Sequence, residues 1–487
     1  MKIQSFPFRT YSACFALIVL GGCAAEQDLG NRPSSTSEGA HESPGASDSG
    51  STSSTASNPP ATDDNTATTQ SPTTNRTGSL DTTFGTDGRL RLDELGIATP
   101  TDVFVSADDF IFVLSNCDLA KNSITACVVR LTPNGALDTT YGDGGIVKLD
   151  GLGATSGVLL SDGRIVVGGT KYKTNPSYAA YGVIAADGQS NVVSPFPWPT
   201  PVGFPGVEVS HMALAPDGGV VMVFDLAVEM IGIAKITNAG EFDSQFGVQA
   251  SPSQVAGFAS ARFADSPCST ATGILVKPNG RIMITGSQSD CQLLNPTGQG
   301  FLQLDDKGFV DTSFGTNGQV LVTNSKSGIW PYSWFGNPVL SPDNRIYVPE
   351  MMGTWIHAFT LDGTPDATFC TDGSCGSGRV GTWRVGSDYV SYPSVPMRVF
   401  LDNQKHLLVP EIITYSPISD DGALERIWHF PVAGSVGEAK GLRPTGWAPA
   451  NSVAARVQSD DRIIVLSSLL SAGNYGELVV SRFWNWD

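Results

Sequence analysis

Short apolar runs separated by polar turns fill the chain from residue 78 onward, and none repeats at the 3.6-residue period of a helix. The clearest pair is Val158 to Leu160 and Ile165 to Val167, which flank Asp162, Gly163 and Arg164. Equivalent turns begin at Asp108, Asp217, Asn279, Asp343, Asp402 and Asp460. Apolar, β-branched runs on both sides of a short Asp- or Asn-led turn predict a tight hairpin, here seven times over. A third run follows each hairpin, such as Cys127 to Val129 with Leu131, or Phe301, Leu302 and Leu304. A fourth comes after a further turn, such as Gly145 to Val147 or Gly318 to Val322. Each unit therefore reads as four short strands.

Between the third and fourth runs stands a recurring phrase: Gly, any residue, an apolar residue, Asp, two residues, an aromatic, Gly. It occurs as Gly78, Leu80, Asp81, Phe84, Gly85, and again as Gly135, Leu137, Asp138, Tyr141, Gly142. Further copies are Gly240, Phe242, Asp243, Phe246, Gly247 and Gly308, Val310, Asp311, Phe314, Gly315. A worn copy is Gly363, Pro365, Asp366, Phe369, with Cys370 in place of the last Gly. The residue types suit a structural turn. Asp accepts hydrogen bonds from amides just ahead of it, the aromatic fills the gap to the next unit, and Gly takes a left-handed conformation. The rival reading, calcium binding, needs six to eight oxygens about the ion, and one carboxylate per phrase does not supply them.

Seven four-stranded units at a period of roughly 50 to 60 residues predict an all-β, seven-bladed β-propeller. The last unit ends on its third run, Leu478 to Val480 with Phe483, while an unpaired strand, Arg89 to Leu92, precedes the first hairpin. The N-terminal strand is therefore expected to complete the last blade and close the ring. The hairpin turns and the Leu-Asp, Phe-Gly phrase resemble the delta-60 repeat family, whose members are largely uncharacterised bacterial surface or secreted proteins. The resemblance covers about residues 78–487 and implies the same repeat fold. The sequence departs from the pattern in the second unit, at Ala186, Asp187 and Gly188, and around Phe430 to Gly434.

The N-terminus changes the picture from fold to location. Lys2 and Arg9 precede an apolar stretch, Tyr11 to Leu20, too short to span a bilayer, which reads as a cleaved signal over residues 1–22. Leu20, Gly21, Gly22 and Cys23 resemble the bacterial lipobox, which implies lipidation of Cys23, with an ordinary secretory signal as the alternative. Ala24 in the following position implies, by the same resemblance, the outer membrane or cell surface. Residues 23–77 are rich in Ser, Thr, Pro, Ala, Asp and Gly, and 30–79 contain no Val, Ile, Leu, Met or aromatic residue. Such a segment has no apolar surface to bury and is expected to be a disordered tether with a reach of about 40 Å. The propeller, 78–487, is expected to be a monomer on that tether.

Beyond Cys14 in the leader and Cys23, six cysteines remain. Their order in local couples suggests Cys117 with Cys127, Cys268 with Cys291, and Cys370 with Cys375, in keeping with an oxidising compartment. No CxxC or paired His accompanies them, so neither a metal nor another cofactor is indicated. The net charge is −18, with no basic stripe, which opposes nucleic-acid binding. Five histidines are present: His41 in the tether, His357 and His429 in expected strands, and His211 and His406 beside hairpin turns. No nucleophile elbow, HExxH or phosphate-cradling loop appears, so the sequence indicates no enzyme.

Long connections carry aromatics that rigid loops present to ligands: Phe196, Trp198 and Phe204 in one, Trp330, Tyr332, Trp334 and Phe335 in another, joined by Tyr389, Tyr392 and Trp447. Flat rings there stack on sugars or anchor a protein partner; alternatively they plug the ring or cap blade ends. The sequence thus leads to a non-catalytic, surface-tethered propeller that binds an envelope protein or glycan through its aromatic loop face. An extracellular polysaccharide hydrolase or lyase working through carboxylates near the central channel is the alternative. A purely structural envelope component is a second.

Overall fold

The computed structural model describes residues 78–485 except 118–123, 173–177, 197–206, 227–229, 249–255, 264–265, 290–295, 323–333, 352–354, 370–381, 385–393, 396–397, 411, 414–426, 431–449 and 470–477. The leader, Cys23 and the tether lie outside the described residues. Among those described, no helix is long and apolar enough to cross a membrane.

All seven hairpin turns form where the sequence places them. The inner strand's end donates an amide hydrogen bond across each turn: Ser106 to Phe110, Leu160 to Arg164, Ala215 to Gly219, Lys277 to Arg281, Ser341 to Arg345, Asp402 to His406 and Gln458 to Arg462, all 2.8 or 2.9 Å. One turn residue departs from turn chemistry. Lys405 sits at φ 71°, where Asp109, Asn344 and Asp461 serve in other turns. A left-handed Lys costs about 1–2 kcal/mol, so Lys405→Gly is expected to raise the melting temperature by a few degrees in a thermal scan.

Six blades of four antiparallel strands follow in chain order. Blade one spans 97–149, blade two 152–195, blade three 209–261, blade four 268–322 and blade five 334–384, whose inner strand is split into Trp334–Phe335 and Val339–Leu340. Blade six combines Ala450–Val457, Ile463–Leu469 and Leu478–Phe483 with the N-terminal strand Arg89–Arg91. The repeats predict a seventh four-stranded blade, and the structure corrects that expectation. Residues 394–430 form a three-stranded sheet, Phe400–Leu401, Leu407–Pro410 and Ile427–Phe430, and a two-stranded one, Ser394–Val395 with Ile412–Ile413. Residues 431–449, where a fourth strand would follow, lie outside the described residues, and the sequence there carries no Asp-aromatic phrase. Blade two, which also lacks the phrase, keeps its fourth strand, Asn191–Pro195, through a short turn in which the Ala185 amide donates to the Ser190 carbonyl (2.9 Å).

The cores lie between neighbouring sheets. Leu114, Leu152 and Val167 join blades one and two; Val166, Met212 and Met222 join two and three; Ile233, Ile274 and Ile284 join three and four. Phe301, Phe335 and Phe359 join four and five. The short sheets take the next place in the ring, with Leu407 and Val409 against Tyr347 and Phe369 on one side and Leu408 against Ala455 and Phe483 on the other. Covered on both faces, the second strands carry continuous apolar runs, as in Val220 to Phe224 of the strand Val220–Leu226.

The N-terminal segment closes the ring as expected. Leu90 lies opposite Val480 in an antiparallel pair, Gly78 donates to the Trp484 carbonyl (3.1 Å) and Leu92 to that of Leu478 (2.8 Å). This covers the edge of Leu478–Phe483, whose six residues are all buried. Cys117 and Cys127 form a disulfide with Cα atoms 6.0 Å apart, tying the second strand of blade one to the third. Cys268 is also disulfide-bonded; Cys291, Cys370 and Cys375 lie outside the described residues.

Candidate functional site

The repeated Asp residues are engaged within the fold. In each copy the Asp amide donates to the third strand: Asp81 to Arg482, Asp138 to Arg130, Asp243 to Lys235, Asp311 to Gln303 and Asp366 to Ala358, at 2.8–3.0 Å. Each Oδ1 accepts from the amide two residues on, that of Thr83, Thr140, Gln245, Ser313 or Thr368, at 2.9–3.1 Å. Each carboxylate also meets a cation. Asp81 meets Arg482 and Arg462, Asp138 meets Arg130, Asp243 meets Lys235, Asp311 meets Arg281 and Asp366 meets Arg345. The sequence reading missed these cations, although Arg130 and Lys235 stand eight residues before their Asp. The aromatics Phe84, Tyr141, Phe246, Phe314 and Phe369 are all buried, and each of the first four packs beneath the first glycine of the next unit's turn. The phrase is a latch between successive blades.

Its carboxyls respond to acid. Burial raises the pKa of Asp81, Asp138 and Asp366, but hydrogen bonds from Thr83, Thr140 and Thr368 and the charges of Arg482, Arg130 and Arg345 outweigh it and leave all three below 3.8. Asp311 is lowered by the Ser313 hydroxyl, against burial, with help from Gln303. A group whose folded pKa is depressed stabilises the fold above its unfolded pKa, and that contribution is lost as pH falls through the folded value. The melting temperature is therefore expected to hold from neutral pH down to about 4 and to fall steeply below it. A fall already complete between pH 7 and 5 would contradict this.

The inner strands surround the axis, Ile97–Val105 beside Leu152–Leu159 and Ala450–Val457, and Val209–Leu214 beside Leu152–Leu159 and Cys268–Val276. Five of them break register at the same level, between Pro100 and Asp102, Ala154 and Ser156, Val209 and His211, Ala271 and Gly273, and Ser452 and Ala454. A β-bulge re-aims the side chains around it. Here a cavity of about 350 Å³ opens on the axis, lined by Asp102, Phe104, Ser156, His211, Asn337, Arg398, Phe400 and Arg456 among others. It runs from the bulges toward Val105, Leu159 and Leu214, the ends of the inner strands that lead into the hairpin turns.

Charge in this cavity is unbalanced. Asp102 accepts from Arg398 Nη1 at 2.6 Å and from Arg456 Nη2 at 3.1 Å, with the Val103 amide as its third donor at 2.8 Å. Two guanidinium groups thus share one carboxylate. The Arg456 guanidinium lies 4.3 Å from the centre of the Phe400 ring and 5.7 Å from that of Phe104. Burial lowers its pKa, opposed by Asp102 and reinforced by Arg398. Burial, together with Arg398, also lowers the His211 pKa to about 3, so this imidazole is neutral at physiological pH.

No protein-family model matches the chain, and no curated protein does. Among solved structures it is similar to a catalytically inactive virginiamycin B lyase from Staphylococcus aureus with quinupristin, at 16% identity and a TM-score of 0.40 over 69% of this chain and 85% of that one. It is similar to YCF48 from Cyanidioschyzon merolae at 11% identity and a TM-score of 0.44, over 82% and 99%. It is similar to the β-propeller domain of the Trilobed protease from Pyrococcus furiosus at 10% identity and a TM-score of 0.43, over 79% and 93%.

Of the aromatics expected on the binding face, Trp198, Phe204, Trp330, Tyr332, Tyr389, Tyr392 and Trp447 lie outside the described residues, and Trp334 is described only as a strand residue paired with Met351. Two neighbours of theirs are structural instead. Phe196 packs among Tyr181, Phe224, Phe242 and Phe258 with ring centres 5.2–6.1 Å away, and Phe335 is fully buried against Phe301 and Phe359. These two serve the plugging role. The cavity residues went unrecognised because their signal is positional. Asp102, Ser156, His211 and Asn337 each stand six residues before the turn at Asp108, Asp162, Asp217 or Asp343, and Arg398 and Arg456 stand four before Asp402 and Asp460.

Proposed function

We propose that the chain is a non-catalytic recognition module of the bacterial cell envelope, held by a lipid on Cys23 and a tether, which binds a glycan or protein partner. The observation that carries this reading is the axial cavity, where polar and cationic side chains from several blades meet on a closed ring. Ligand sites favour such a concave place with a few convergent polar groups. The hydrolase alternative needs two carboxylates flanking a bond. Among the described residues lining the cavity Asp102 is the only acid, and both its oxygens are bound by arginines. His211 has no carboxylate to orient it among those residues, which also favours binding over turnover. The aromatic loops, with Trp330 and Trp334, are the second contact surface that this reading invokes.

The full chain, purified in detergent, is to be presented to a glycan array and to an envelope extract, with the same glycans assayed for product. Specific capture without product is the expected result. Product formation, or no capture on either panel, refutes the reading. Trp330→Ala with Trp334→Ala tests the loop face, and is expected to weaken capture while leaving the melting temperature unchanged.

A further inference from the structure

The cavity carries more information than its existence, because its donors outnumber its acceptors. Asp102 already accepts from Arg398, Arg456 and the Val103 amide, with both oxygens engaged. Arg398 spends only Nη1 on a side-chain contact, so its Nε and Nη2 remain without a partner among the described residues. Arg456 spends Nη2 on Asp102 and Nη1 on the Ala455 carbonyl at 2.8 Å, and its Nε remains. Three more polar groups have no partner there: the Ser156 hydroxyl, the His211 ring and Asn337 Nδ2, the Asn337 oxygen being held by the Ile274 amide at 3.1 Å. A partly buried site with two cations and one anion keeps one positive charge uncompensated, and that is costly away from bulk water.

We propose that this cavity binds the carboxylate of a sugar acid on the guanidinium edges of Arg398 and Arg456 that Asp102 leaves free. The inference rests on the recognition reading above and names the ligand's chemistry. One carboxylate neutralises the excess charge; a phosphate dianion would overshoot it. Guanidinium donors suit a carboxylate because their planar forks match its two oxygens. Ser156, His211 and Asn337 then meet ring hydroxyls, since a neutral imidazole both donates and accepts. About 350 Å³ is near the lower end of ligand sites and suits a monosaccharide unit. The rings of Phe104 and Phe400 hold Arg456 in place, so little order is lost when the ligand arrives.

The test is calorimetric titration of the full chain with glucuronate, with glucose as the neutral counterpart and with acetate and a short peptide bearing a free C-terminus as other carboxylates. Glucuronate is expected to saturate one site, at least tenfold tighter than any of the other three. Arg398→Gln is expected to weaken it tenfold or more, Arg398→Lys less, and Ser156→Ala severalfold, because the last leaves the ion cluster untouched. Melting temperatures of all variants identify any that fail to fold, and Ser156→Ala keeps the test informative if both arginine variants do. Equal binding of glucuronate and glucose, or affinity unchanged in the folded variants, overturns the proposal. Tighter binding of the peptide overturns the sugar assignment. Specific capture on the glycan array that survives Arg398→Gln would leave the recognition reading standing and remove this site from it.

Discussion

Asp81→Ala is expected to cost about 3–5 kcal/mol in denaturant unfolding, the penalty for leaving a buried charge without its partner. Arg482 is 1% exposed and Asp81 is fully buried. Their contact is 2.8 Å. Arg482 also donates to the Pro133 carbonyl at 2.6 Å and to the Thr83 hydroxyl at 3.1 Å, and its guanidinium lies 4.9 Å from the centre of the Phe84 ring. Without Asp81 it keeps neutral acceptors, and the other anion that acts on it, Asp460, is exposed and paired with Arg462. The position matters further because Asp81 belongs to the N-terminal segment and Arg482 to the last strand, so the pair clamps the ring closed. Asp243→Ala is the internal control. There Lys235 retains Asp217 at 2.6 Å, and the carboxylate lost is 19% exposed, so a loss of about 1 kcal/mol or less is expected. Equal losses in the two variants would show that the latch at the closure is no stronger than the others.

Gly135→Ala is expected to cost about 2–5 kcal/mol, from two effects that add. At φ 84° an L-residue costs about 1–2 kcal/mol. An added Cβ would also stand 2.6 Å from the Phe84 ring, and forcing a methyl into a packed site costs about 1–3 kcal/mol. Gly144 separates the two. It has φ 61°, but a methyl added there would meet no atom within 4 Å, so Gly144→Ala is expected to lose only about 1–2 kcal/mol. Thermal melts of both variants check this, and equal shifts would mean that the contact with Phe84 contributes nothing.

Much of the fold was legible because its signals are local. Each hairpin is specified by a turn and the apolar runs beside it, and each latch by an Asp, an aromatic and two glycines within eight positions, save the worn copy with Cys370 in place of the last glycine. Ring closure was legible from a surplus strand at one end and a missing one at the other. The blade count was not. The hairpin at Asp402 predicts a further blade, but its partner phrase is absent from the sequence, and among the described residues only a three-stranded and a two-stranded sheet form there. The cavity was not legible either. Asp102 meets Arg398 and Arg456 across 296 and 354 residues, and only the ring brings them together. Viewed singly, each is one charged residue with apolar neighbours on its C-terminal side. Measured from the hairpin turns, however, these positions repeat, and the axis can be read from that spacing in any unit whose turn is clear.

The role of the axial cavity in recognition is tested most directly by crystals of the full chain soaked in glucuronate. Difference density for a carboxylate against Arg398 and Arg456, with the ring near Ser156 and His211, is the predicted result. Density confined to the loops that carry Trp330 and Trp334, or none at any site, would contradict it.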